Sequence, residues 1–302
     1  MGKYQKILCL VGPTSSGKSA LAVALARKFN GEVISADSRQ VYKNLDVGTG
    51  KITKKEMKGV RHHLLDVASS EKVFTAHDFV EKASAAIKDI AKRDKLPIIT
   101  GGTGFYIDAL VGRIELPNVP VNKILRRKLK KKTPEQLFTL LKKKDSRRAQ
   151  SIEPHNKRRL IRALEIVRKL GKVPKQHVGH IDLRGRYNVL WVGLTLQSNV
   201  IAKRIHTRLL VRMRKGMVAE ARGLHKAGLS YKRMEQFGLE YRALARHLQG
   251  QITRTQMVEE LNRDIRRYAK KQLAYWKRNR SIRWFDPRAK RTIATLVRKY
   301  CK

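Results

Sequence analysis

The chain has 302 residues, 41% of them hydrophobic, and its 69 Lys and Arg against 24 Asp and Glu give a formal net charge of +45. That length buries a real core and leaves room for two domains, whereas the charge repels itself in a compact monomer unless a polyanion offsets it. No apolar run reaches the length of a membrane span, and the two cysteines, Cys9 and Cys301, are too few for a disulfide framework or a cysteine-built metal site.

The charge is not spread evenly. Residues 1–115 carry a net +7, residues 116–187 a net +17, and residues 188–302 a net +21. A uniform lysine bias does not produce that partition, so the last two segments read as a nucleic-acid surface. The N-terminus shows no signal-peptide h-region, and the chain reads as cytoplasmic, without membrane association and acting as a monomer.

Lys6-Ile7-Leu8-Cys9-Leu10-Val11 is an apolar strand pattern with Cys9 as a small core residue. It runs into Gly12-Pro13-Thr14-Ser15-Ser16-Gly17-Lys18-Ser19, which fits G-x-x-x-x-G-K-[ST] at every fixed position, and then into an Ala/Leu-rich helical stretch to Phe29. Strand, loop and helix in that order make a phosphate-binding loop: backbone N–H groups converge on an anion, the helix N-terminus adds positive potential, and Lys18 adds a full charge. The Ser19 hydroxyl suits a Mg²⁺ ion that bridges phosphate oxygens. The motif alone suggests a nucleotide such as ATP.

Glu32-Val33-Ile34-Ser35-Ala36 predicts a second strand that ends at Asp37-Ser38. A helix is expected from about Thr75 to Arg93. Leu96-Pro97-Ile98-Ile99-Thr100 then predicts a buried strand that ends in Gly101-Gly102-Thr103-Gly104. Strands alternating with helices argue for an α/β fold, a parallel sheet around the phosphate loop. Such sheets work at the carboxyl ends of their strands, so the loop, Asp37 and Thr103 are expected to share one crevice. An NTPase needs a strand-end acid for its metal; the Leu96–Thr100 strand ends in Thr and Gly, and Leu64-Leu65-Asp66 is a weak substitute.

From Leu116-Pro117-Asn118-Val119-Pro120 the character changes to Lys- and Arg-dense helical patterns, punctuated by Gly171 and Pro174. Uncharged Val189–Leu196 reads as a returning core strand. Residues 116–187 are therefore expected to be a mostly helical insertion in a core made of 1–115 and 188–302, whose remainder from about Val200 is helical and basic. His62 and His63 lack ligand partners at useful spacing and read as structural, and Trp276 and Trp284 as core packing.

The order of these segments resembles one family. Gly12–Ser19, Ile34–Tyr42, Asp46–Lys51, His62–Asp66, Thr75–Phe79, Gly101–Tyr106, Arg159–Glu165, Arg204–Met217, Phe237–Arg242 and Arg266–Gln272 look, in sequence, like tRNA dimethylallyltransferases across essentially the whole chain. The resemblance implies that the loop holds the diphosphate of dimethylallyl diphosphate and that Mg²⁺ is the cofactor. The partner is then the anticodon stem-loop of tRNA, with N6 of the adenine at position 37 as acceptor. It implies Asp37 as general base and Thr103 and Arg208 as catalytic contacts to the departing diphosphate. It implies tRNA contacts at Asp37, Ser38, Arg39, Gln40, Thr103 and Arg126, at Arg158, Arg159, Leu160, Ile161 and Arg162, and at Glu235, Gln236, Phe237, Gly238, Leu239 and Glu240. The rivals are an adenylate isopentenyltransferase acting on free AMP, ADP or ATP, a small-molecule kinase, and a nucleic-acid-binding protein whose phosphate loop gates binding.

Overall fold

The computed structural model describes residues 4–174 and 186–302. In chain order its elements are β1 (Gln5–Val11), α1 (Lys18–Lys28), β2 (Gly31–Ser35), α2 (Lys54–Met57), β3 (His62–His63), α3 (Ala76–Lys92), β4 (Leu96–Thr100) and α4 (Gly104–Leu110). There follow α5 (Lys123–Lys130), α6 (Pro134–Lys144), α7 (Ser146–Ser151), α8 (Lys157–Leu170) and β5 (Tyr187–Leu194). The last are α9 (Ser198–Arg214), α10 (Met217–Lys226), α11 (Tyr231–Phe237), α12 (Leu239–Leu248), α13 (Arg254–Lys277), β6 (Arg283–Phe285) and α14 (Lys290–Cys301).

The six strands form one sheet in the order β3-β2-β4-β1-β5-β6, and every pair is parallel. A sheet covered on both faces needs apolar residues at consecutive positions, and β1 supplies them. Ile7, Cys9 and Val11 face the layer that holds Phe79, Ile87, Ile107 and Trp276, while Leu8 and Leu10 face the layer that holds Leu21, Leu25, Ile293 and Val297. Cys9 is a core residue as expected, and burial pushes its thiol pKa up. The α/β class read from the alternating pattern is the fold observed. β6 is a strand where the sequence showed only a basic helical stretch; it forms by pairing Arg283–Phe285 with Val192–Leu194 of β5.

Local signals set several boundaries. Thr75 caps α3 by accepting from the Asp78 N–H while the Asp78 carboxylate accepts from Thr75 N–H, so the expected start at Thr75 falls at the cap. Trp276 is fully buried and Trp284 packs against the same layer. His63 is structural: its Nε2 lies 2.7 Å from the Glu32 carboxylate.

The chain divides into two compact units, Met1–Arg113 with Gly179–Lys302, and Ile114–Val178. The first contains the sheet and, from α9 to α13, a helical cluster centred on Leu209, Met217, Leu244 and Met257. The second is helical within its described residues, with Leu137, Leu141, Leu160 and Leu164 at its centre. Residues 175–185 of the expected insertion lie outside the described residues.

Candidate active site

β1 delivers the phosphate loop. Ser15 and Gly17 take positive φ values of 62° and 97°, a left-handed alternation that turns successive N–H groups to one side as an anion nest. Among the described residues the N–H groups of Ser15, Gly17, Lys18 and Ser19 donate to no protein acceptor, whereas the Thr14 N–H gives to the Gln272 side chain and the Ser16 N–H to the Pro13 carbonyl. Lys18 is 8% exposed and its ammonium donates to the Pro13 carbonyl at 2.6 Å. Burial, and then the Arg208 guanidinium, push its pKa down to about 7, with Asp37 pulling the other way. An anion in the nest would relieve both effects. Ser19 is exposed in the first turn of α1.

Asp37 lies just past β2. Its Oδ1 accepts from the Arg39 N–H at 2.8 Å and, more weakly, from the Gln40 N–H at 3.4 Å, which fixes the carboxyl in an Asx turn. Oδ2 has no hydrogen-bond donor among the described residues.

Thr103 lies past β4, and its Oγ1 accepts from the Ser38 N–H at 3.0 Å. Its own N–H donates to the Ala36 carbonyl at 3.1 Å. This turn approaches β2 so closely that a Cβ at Gly101 would overlap the Ala36 carbonyl, hence the glycine. Arg208, from α9, donates to the Ser15 hydroxyl at 3.3 Å. The loop, Asp37, Thr103 and Arg208 thus meet at the carboxyl edge of β1, β2 and β4, as expected for a sheet of this class.

The oxygen set suits a hard divalent cation carried in with a phosphate ligand. Ser19 offers one hydroxyl, and no cluster of three or more His, Cys, Asp or Glu able to hold a metal exists among the described residues. Mg²⁺ takes most of its ligands from phosphate and water in sites of this kind. Asp66, the weak substitute for a strand-end acid, is committed to an ion pair with Lys51, which also binds Asp46 at 2.6 Å.

The residues expected to touch RNA divide by burial. In the Ile114–Val178 unit, Arg158 and Arg159 are exposed at the start of α8, while Leu160 and Ile161 are packed into the core. Arg126 forks onto the Glu165 carboxylate at 2.7 and 2.6 Å, and Arg162 approaches the same group at 3.4 Å. Glu165 is 2% exposed, so Arg126 is first of all its counter-ion. In the sheet-bearing unit, Glu235 and Gln236 are exposed, but Phe237 is buried edge-on to Tyr42 with Arg233 over its ring. Gly238, at φ 76°, separates α11 from α12, Leu239 opens α12, and Glu240 accepts from Arg212 at 3.2 Å. The side chains of Leu160, Ile161 and Phe237 are core groups, which leaves their neighbours as the outward-facing part of each segment.

Three further groups, Glu220, Arg212 and Gln272, complete the site. Glu220 accepts from the N–H groups of Asp46, Val47 and Gly48 at 2.9, 2.7 and 2.8 Å and from the Tyr241 hydroxyl at 2.6 Å. Arg212 donates to the Val47 carbonyl at 2.8 Å and to that of Gly48. Together they fix a loop whose Gly50 lies against Arg208 and accepts from the Gln40 side chain at 3.4 Å. Gln272 joins the phosphate loop to Gly102. Arg212 and Gln272 fall within Arg204–Met217 and Arg266–Gln272, segments that carry the family resemblance, and Glu220 lies outside both; local spacing gives none of the three a role.

The site can be set beside known proteins. A family model described as IPP transferase matches residues 40–279. A tRNA dimethylallyltransferase of Anoxybacillus flavithermus is 37% identical over 282 residues, 93% of this chain and 90% of that protein. The solved full-length tRNA isopentenylpyrophosphate transferase of Bacillus halodurans superposes with a TM-score of 0.74 at 33% identity, covering 98% of this chain and 97% of that one. A eukaryotic dimethylallyltransferase described as acting on tRNA superposes with a TM-score of 0.75 at 26% identity, covering 90% of this chain and 70% of that one. The family match begins after the phosphate loop and still takes in Thr103, Arg208, Gln272 and the whole Ile114–Val178 unit. The likeness is therefore to the full architecture rather than to a loop that many folds share, and the chain belongs to the IPP transferase family, a family of prenyl-transferring enzymes.

Proposed function

We propose that this chain transfers the dimethylallyl group of dimethylallyl diphosphate to N6 of the adenine at position 37 of tRNA, just 3′ of the anticodon, with release of diphosphate. The observation that carries the reading is a carboxylate at the acceptor side of a phosphate loop: Asp37 keeps Oδ2 without a hydrogen-bond donor while its charge is felt by Lys18. A hydrolase of phosphoanhydrides would use that place to orient water. In a prenyl transfer the same oxygen accepts a proton from the exocyclic amine as its lone pair attacks the allylic carbon. The N6–C bond forms, the C–O bond to diphosphate breaks, and the diphosphate leaves with the electron pair.

The phosphate loop then serves a leaving group. The free N–H groups of Ser15, Gly17, Lys18 and Ser19, the Lys18 ammonium, Thr103 and Arg208 receive the charge that grows on the departing oxygen. Mg²⁺ held through Ser19, when bound, adds Lewis-acid stabilisation of that charge. Ser38, Arg39 and Gln40, fixed by the Asx turn, border the acceptor pocket. An adenine must leave the anticodon loop to enter it. The Ile114–Val178 unit, with Arg158, Arg159 and Arg162, and the 235–240 segment grip the backbone of the stem-loop. Among the described residues no helix is long and apolar enough to cross a membrane.

The test supplies the protein with Mg²⁺, labelled dimethylallyl diphosphate and either tRNA or AMP. Label in tRNA at adenine 37 is the expected result. Label in AMP but not tRNA would replace this reading with an adenylate isopentenyltransferase, and ATP consumption without prenyl transfer would replace it with a kinase.

A further inference from the structure

One buried side chain ties the two halves of this site together. Gln272, near the end of α13, is 5% exposed. Its Oε1 accepts from the Thr14 N–H of the phosphate loop at 2.8 Å, and its Nε2 donates to the Gly102 carbonyl at 2.9 Å. Gly102 precedes Thr103, which holds the Ser38 N–H beside Asp37. The path from the diphosphate side to the acceptor side therefore runs Thr14, Gln272, Gly102, Thr103, Ser38, with a hydrogen bond or a peptide bond at each step.

The chemistry of the two partners selects an amide. Thr14 offers a donor and Gly102 an acceptor, and a side-chain amide carries the matching acceptor and donor on one short planar group without any titration. The partners also fix which end of the amide is which. Contact with Gly102 is so close that a Cβ there would overlap Nε2, so Gly102 is required by Gln272 rather than by turn conformation. The Tyr268 hydroxyl, one turn earlier on α13, reaches the same carbonyl at 3.4 Å. By taking the Thr14 N–H, the amide removes that donor from the nest and leaves it to Ser15, Gly17, Lys18 and Ser19.

We propose that Gln272 is a positioning residue that holds the phosphate loop and the Thr103 turn at the separation prenyl transfer needs, without itself touching the reacting atoms. The assignment rests on the function proposed above. Displacement of a reacting group by about 1 Å costs on the order of 100-fold in rate, and the bridge is the direct polar link between the two loops.

The test compares Gln272→Met and Gln272→Glu with the unaltered full-length protein. Met keeps the length and apolar stem but removes both hydrogen bonds. Glu keeps the acceptor for Thr14 but turns a carboxylate oxygen toward the Gly102 carbonyl, where the Asp37 carboxylate and the Tyr268 phenol also lie. Three quantities are read: calorimetric binding of inorganic diphosphate with Mg²⁺, kcat and KM for both substrates, and the thermal midpoint. For Met we expect diphosphate affinity and kcat/KM for dimethylallyl diphosphate each to fall about 10-fold, and for Glu about 100-fold. KM for tRNA should stay within about twofold for both, since Gln272 carries none of the RNA grip proposed above. Unchanged diphosphate binding and kcat in both variants would overturn the proposal. So would a loss shared equally by tRNA affinity and the thermal midpoint, which would make Gln272 merely structural. If the unaltered protein binds diphosphate but transfers no prenyl group, the function fails, while diphosphate binding by the variants still decides the bridge.

Discussion

The two ends of β2 carry carboxylates with opposite fates. Glu32, at its start, is 2% exposed and fully partnered: by both terminal guanidinium nitrogens of Arg93, the Lys95 ammonium at 2.9 Å and the His63 ring at 2.7 Å. Those hydrogen bonds, that from Arg93 above all, hold its pKa well below the usual carboxylate range despite burial. Asp37, two residues past the strand's other end, is half-buried and spends one oxygen on backbone N–H groups while the other stays open. A saturated carboxylate is a structural counter-ion. One that is oriented but unsaturated can do chemistry. The parallel sheet enforces the split, because its amino edge is closed by the ends of α1 and α3 and its carboxyl edge by loops.

The largest effect should come from Asp37→Ala. We expect kcat to fall about 10³-fold, within the range for loss of a general base, while tRNA affinity in a filter-binding titration stays largely intact. Equal loss of binding and rate would make Asp37 a positioning group like its neighbours. Glu32→Gln should do the reverse. It leaves Arg93 and Lys95 facing an uncharged amide and should cost about 3 kcal/mol in urea unfolding, the low end for a broken buried pair because both cations are partly exposed. Its kcat at a temperature where both proteins are folded should match that of the unaltered enzyme.

The same contrast has a pH signature. Glu32 has a folded pKa below its unfolded value of about 4.5, so the unfolded state takes up the proton first as pH falls. Its stabilisation is complete above that value and is lost as pH drops through the folded one. Urea midpoints at pH 5 and pH 3 should therefore fall more in the unaltered protein than in Glu32→Gln. Thr103→Val removes both the acceptor for the Ser38 N–H and the hydroxyl proposed to meet the departing diphosphate, and a loss of about 10-fold or more in kcat is expected.

The smallest effect concerns RNA. Arg158→Ala and Arg159→Ala should each lower the slope of log affinity against log salt by about 1, with little change in kcat. Arg126 is the poorer choice for that test, because its removal leaves the buried Glu165 with the Asn122 N–H at 3.0 Å and Arg162 at 3.4 Å but without its bidentate partner, so folding and RNA binding would fall together.

Strands buried on both faces were legible because each needs a mostly apolar run: Lys6–Val11, Glu32–Ala36, Leu96–Thr100 and Val189–Leu196 correspond to β1, β2, β4 and β5. β6 was not, because three residues in a basic stretch carry no period and become a strand only by pairing with β5. Among site residues, those at strand ends were legible because a parallel sheet gathers its strand ends. Leu160, Ala163, Leu164 and Val167 recur at helical spacing and are the buried face of α8, whereas the commitment of Arg126 to Glu165 was not legible, because it joins residues 39 positions apart.

The sequence by itself determined the anion cradle, since a glycine-rich turn between a strand and a helix orients its own N–H groups. It also determined the α/β class and, through the ordered set of motifs, the family. Tertiary structure alone decided which N–H groups stay free, which arginines are counter-ions, and that Gln272 spans the site. The reason is range: the two hydrogen bonds of Gln272 join residues 258 and 170 positions apart, and no local pattern encodes a contact that exists only after the sheet and α13 have packed.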